Sequence, residues 1–199
     1  LSIREIQDGA TISLGYLHEE YRIEIEAPEG ESLNVRGDDG DYFVKNINGS
    51  ISMSLDDADA ELTDCKGSDF NFRFDDGDLR MDRGSGRIKI DADDADVEIY
   101  KATFSEIDAE VDDGDLIVET TLANDGNYNF ISQDGFISLK ITGGGGSFDI
   151  RHDDATVSFQ GNFKTLEETE TQTRLSLHNG TARVSVRADD ATIKLASHH

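Results

Sequence analysis

One four-residue cluster recurs along this chain and limits its folding choices more than any other feature. Asp-Asp-Gly-Asp or Asp-Asp-Ala-Asp begins at Asp38, Asp56, Asp75, Asp93 and Asp112, at spacings of 18, 19, 18 and 19 residues. Shorter copies begin at Asp153 and Asp189 after gaps of 41 and 36 residues, each close to a double interval. Gln133-Asp134-Gly135-Phe136 falls inside the first gap as a degenerate copy. A fixed period of this length marks an array of similar units, each packed on its neighbours.

Between the acidic clusters, apolar residues alternate with polar ones. Ile51, Met53 and Leu55 point one way, as do Phe70, Phe72 and Phe74, then Ile88 with Ile90, Val97 with Ile99, and Ile137 with Leu139 and Ile141. Period two is the signature of a half-buried strand. A second turn signal lies midway between acidic clusters, at Asn48-Gly49-Ser50, Lys66-Gly67-Ser68, Gly84-Ser85-Gly86 and Gly143 to Gly146. Each unit therefore reads as strand, Gly/Ser turn, strand, acidic turn.

An antiparallel meander and a β-solenoid both fit that reading. The strict period favours the solenoid. The alanine copies add a second reason. Tight hairpins need positive φ at both central residues, which Asp-Gly accepts and Asp-Ala resists. Ala58, Ala95, Ala155 and Ala191 are thus expected at solenoid corners. A coil of one unit and a coil of two, about 37 residues, both remain open. The expected organisation is one domain, with residues 1–37 capping the array and repeats filling 38–197. The polar stretch 164–173 reads as an irregular unit, and 198–199 as a tag remnant.

The charge is concentrated in this repeat. The net charge is −25, and 19 of the 28 Asp residues lie in the seven acidic copies. That balance argues against nucleic acid and against anionic membrane surfaces, which both need a basic footprint. No apolar run approaches the roughly 18 residues of a membrane span, so no direct membrane insertion is expected. The single Cys65 excludes an internal disulfide framework and is expected to be inert. The chain opens on Leu1 rather than Met, and the expectation is an exported protein whose signal or anchor preceded it.

Three chemistries compete for the acidic motif. As a turn, each Asp accepts hydrogen bonds from nearby backbone, and stacked corners form a carboxylate ridge spaced about 4.8 Å. Two such charges about 5 Å apart in water repel by only roughly 0.8 kcal/mol, so the ridge needs no metal. As a cation site, the ridge offers oxygens for loosely held calcium, with Asp75, Asp76, Asp78, Asp93, Asp94, Asp96, Asp112, Asp113 and Asp115 as candidates. The nonapeptide and twelve-residue calcium loops are both absent. As a catalytic pair, two carboxylates would need unlike environments, yet the cluster recurs in unit after unit and singles out none. Arg87-Ile88-Lys89 is similar to a substrate-binding tripeptide of pectin-degrading enzymes, but alternation explains it equally. No catalytic residue, cofactor or dedicated metal site is expected.

Units such as Asp75-Asp-Gly-Asp-Leu-Arg-Met, Gly86-Arg-Ile-Lys-Ile and Asp189-Asp-Ala-Thr-Ile-Lys-Leu resemble a bacterial family of unknown function that carries an adhesin label. The resemblance covers roughly residues 35–196. It implies an all-β fold, a right-handed single-stranded β-helix or β-solenoid of 18–19-residue units, in an exported envelope or extracellular protein. The functional expectation is a non-catalytic adhesin, binding or spacer module that meets a glycan or protein surface, with oligomerisation left open. The alternatives are a carbohydrate-active enzyme and a calcium-binding repeat protein.

Overall fold

The computed structural model describes residues 10–13, 22–25 and 30–197. Among them there is no helix, so none is long and apolar enough to cross a membrane. Fourteen strands follow one another among the described residues. They are β1 (Ala10–Ser13), β2 (Arg22–Ile25), β3 (Leu33–Lys45), β4 (Ile51–Thr63), β5 (Lys66–Asp76), β6 (Leu79–Asp82) and β7 (Ser85–Asp94). Then come β8 (Val97–Thr121), β9 (Asn127–Gly143), β10 (Gly146–His152), β11 (Thr156–Gln160), β12 (Phe163–Glu168), β13 (Gln172–Leu177) and β14 (Ala182–Ser197).

Alternation places the core as expected. Val35, Met53, Phe72, Ile90, Ala109, Phe130, Val186 and Ile150 are successive register partners from β3 to β10. All eight are buried. Large and small residues interleave along this row, as a close-packed interior requires. Phe72 lies 6.3 Å from Phe70 and 6.5 Å from Phe74, ring centre to ring centre. Each such ring contributes about 1.5–3 kcal/mol by leaving water.

The right-handed single-stranded β-helix, a solenoid of 18–19-residue units over 38–197, is corrected by the pairing. β4 pairs β5 through its first half and β6 through its second. β7 joins β5 to β8, and β8 returns to β6. These five parallel strands close a barrel-like ring, with the others outside it. Chain order and sheet order also part after β9. β14 lies between β9 and β10, and β13 and β12 follow antiparallel. The physical reason is that period-two alternation reports only which side chains face inward. A closed parallel ring and a stack of coils make the same demand, so periodicity cannot separate them. The polar stretch 164–173 spans the β12–β13 hairpin at the sheet's edge. Most of the expected cap at 1–37, including Tyr21, lies outside the described residues; within it, β1 and β2 pair β3 in parallel.

Candidate functional site

Successive acidic motifs are direct neighbours. Asp39, Asp57, Asp76, Asp94, Asp113 and Asp134 are partners in one register column. The degenerate copy thus joins the ladder, and neighbouring units meet at every step rather than every second one.

The Gly and Ala versions of the motif do different jobs. Ala58 and Ala95 turn their methyls into the core. Gly77 and Gly114 take positive φ, +110° and +148°, where a side chain is strained. A Cβ on Gly77 would also lie 2.8 Å from the carbonyl carbon of Ala58, and one on Gly114 would lie 2.8 Å from that of Ala95. Each Ala-type corner then serves the Gly-type corner beside it. The Asp78 N–H donates to Asp59 Oδ1 at 2.9 Å, and the Asp115 N–H donates to Asp96 Oδ1 at 2.8 Å. The last Asp of the Ala motif is therefore a backbone acceptor built into the fold.

Crowding shows in the proton affinities. A hydrogen bond with Asp57, then burial and the charges of Asp57, Asp94 and Asp75, raise the Asp76 carboxyl above its usual range. Asp113 is raised by burial and then by Asp134 and Asp94. Asp78 is raised by burial and then by Asp59 and Asp96. Among the described residues, no group of three or more His, Cys, Asp or Glu is arranged to hold a metal ion. Asp75, Asp93 and Asp112 stand beside the ladder column rather than in it, and Asp78, Asp96 and Asp115 follow it.

Asp78 and Asp96 open onto a groove of about 370 Å³, where they line one side with Asp41 and Asp59. Phe43, Glu61, Arg80 and Glu98 form the adjoining row, each two residues after the motif's last Asp. Arg80 donates to Glu98 at 2.9 Å and its guanidinium lies 5.2 Å from the centre of the Tyr100 ring. Among the described residues, the groove therefore holds six carboxylates against one guanidinium that is already paired. The alternation could have located this row, because position two after the motif must face outward.

Arg87-Ile88-Lys89, Cys65 and the remaining polar side chains resolve into structure. Ile88 is buried between Arg87, which pairs with Asp69 at 2.6 Å, and an exposed Lys89. Cys65 is buried, and burial pushes its thiol up. Tyr128 is buried, donating to the Phe104 carbonyl at 2.8 Å. Tyr42 is buried with its hydroxyl unpartnered and turned against Gly37. His18 lies outside the described residues, while the ring of His152 lies 3.3 Å from the Thr173 hydroxyl.

One column was missed by sequence reasoning. Asn46, Asp64, Arg83 and Lys101 all take left-handed φ, 58°, 53°, 58° and 51°. Asn and Asp accept that conformation readily; Arg and Lys do not advertise it. Arg83 grips Asp64 with two bonds, 2.6 and 2.8 Å, and that hydrogen bonding lowers the Asp64 carboxyl.

Comparison with known proteins gives one positive finding: the family model Toastrack DUF4097 matches residues 2–196. That match carries no adhesin assignment. No curated protein and no solved structure matches the chain.

Proposed function

Since the chain belongs to the Toastrack DUF4097 family, a domain of unknown function, we propose that it is a non-catalytic binding module of an exported bacterial surface protein. Its partner carries ammonium or guanidinium groups, and the acidic groove receives them. The observation that carries this reading is the groove itself. Asp41, Asp59, Asp78, Asp96, Glu61 and Glu98 converge on one concavity in which Arg80, the only basic residue among the described residues that line it, is already paired. A cationic protein segment gains there from six carboxylates at close range, and the charges of Asp59 and Asp96, which add to burial in raising Asp78, are offset by an arriving positive charge.

The non-catalytic half of the proposal rests on repetition. Asp59 and Asp96 are committed to backbone N–H groups, and the ladder repeats the same carboxylate strand after strand rather than singling out one pair. Acid–base chemistry needs two groups with proton affinities pushed apart.

The test is calorimetric titration with a short oligolysine, an acidic oligosaccharide and a neutral one. Oligolysine is expected to bind, more weakly as salt rises. Glu61→Gln with Asp41→Asn should weaken it at least fivefold, whereas Glu106→Gln with Glu110→Gln, on another face, should leave it unchanged. Equal loss from both pairs would reduce the groove to generic attraction, and hydrolysis of either sugar would defeat the non-catalytic reading.

A further inference from the structure

The two strands that end the sheet beyond β14 are treated differently by the sequence. β12 is blunted in the ways that keep edge strands from pairing. It carries Lys164, Glu167 and Glu168, and a register shift between Thr165 and Glu167 leaves Leu166 on a bulge, 54% exposed. β11 has none of these devices. Among the described residues it pairs β14 alone, through Thr156–Gln160. From Ala155 to Phe163 no residue is ionisable, in a chain with a net charge of −25.

β11 also leaves its inward row half covered. Val157 and Phe159 pack on the core but stay only partly buried, as does Phe163 at the start of β12. The corresponding inward residues one strand back, Ile193 and Leu195, are fully buried. A further strand laid on the free edge of β11 would complete that layer.

We propose that the strand laid there is β11 of a second copy, antiparallel, in an isologous dimer whose two-fold axis passes through Ser158. The register follows from the strand itself. Thr156 faces Gln160 of the other copy, Ser158 faces Ser158, and Val157 faces Phe159, so each copy's half-covered apolar pair closes over the other's. Charge selects this edge. Two molecules of −25 repel over most of their surfaces, and an uncharged strand lets them approach within hydrogen-bonding distance. A cationic partner would instead gain from carboxylates, which β11 lacks.

Sedimentation equilibrium of the whole chain tests this. A monomer–dimer equilibrium is expected, tightening as sodium chloride rises, because screening removes repulsion without weakening apolar contact. Ser158→Glu sets two carboxylates face to face at the axis and should raise the dimer dissociation constant at least tenfold. Ser54→Glu, on an interior strand, should not change it. Directly opposed residues in an antiparallel pair lie about 4.5–5.5 Å apart at Cα, within disulfide reach. Ser158→Cys is therefore expected to crosslink to near completion under mild oxidation, and Ser54→Cys to stay uncrosslinked. A monomer at every concentration, open-ended polymers, a dimer indifferent to Ser158→Glu, or equal crosslinking by both cysteines would each overturn the proposal.

Discussion

Gly77 and Ala58 occupy the same place in neighbouring copies of the motif, and the sequence treats them as alternatives. The structure makes them non-exchangeable. Gly77→Ala meets two costs. Its φ of +110° carries a penalty of about 1–3 kcal/mol for an L side chain. The new methyl would sit 2.8 Å from the carbonyl carbon and 3.0 Å from the nitrogen of Ala58. Forcing two paired backbones apart costs about 1–3 kcal/mol more. The expected loss is about 2–6 kcal/mol, or roughly 4–24 °C in Tm for a chain of this size. Ala58→Gly is milder, giving up a buried methyl worth about 0.8 kcal/mol and adding about 0.5–1 kcal/mol of backbone entropy. The decisive measurement is the double swap. The clash is with the backbone of Ala58, not its methyl, so removing that methyl leaves the clash in place and the swap should be less stable than either single variant, even though sites in contact need not add strictly. Chemical denaturation of the wild type, both single variants and the swap gives all four stabilities. A neutral Gly77→Ala, or a swap that restores stability, would refute the steric account of the corner.

Mild acidification should stabilise the fold. Asp76, Asp78 and Asp113 bind protons more tightly folded than unfolded, so their penalty is present at neutral pH and is relieved as pH falls toward their raised values. Asp64 works oppositely, its bond to Arg83 failing only below the ordinary carboxylate range. Thermal melts should therefore rise from neutral pH to the upper carboxylate range and fall in stronger acid; a monotonic decline would count against the ladder. At matched ionic strength, sodium and calcium chloride should raise Tm by similar amounts, since screening acts on any closely spaced carboxylates. A saturable calcium isotherm, lost when Asp75, Asp76 and Asp78 become Asn, would establish a dedicated site instead.

The strand character of the chain was legible because alternation is a local signal. Phe70, Phe72 and Phe74 had to share one side, and all three are buried. Ala58 and Ala95 were legible as residues that hairpin tips would reject. The ring was not legible, because one strand's division between two partners leaves no mark in its own residues. Nor was the insertion of β14. Tyr128 meets Val184 across 56 residues, and nothing near either residue encodes the other. The groove was half legible: its Asp column is the motif itself, while Glu61, Arg80 and Glu98 follow from alternation once the corner is placed. The left-handed column was hidden because Arg83 and Lys101 take a conformation that their side chains do not favour.

The placement of β14 has a consequence for the order in which the molecule comes into being. A chain delivered from its N-terminus, by a ribosome or through an export pore, presents β3 to β9 first, and these strands can pair as they arrive. β10 and β11 then emerge with no partner among the strands already delivered, because both pair with β14. β13 depends on β10, and β12 on β13. Throughout that interval the 17-residue β9 also keeps one long edge open, a state prone to mispairing. Only when β14 arrives are the two blocks joined, by one strand that closes an exposed edge and recruits the rest. Assembly is thus vectorial up to β9 and all at once thereafter, with β14 as the keystone.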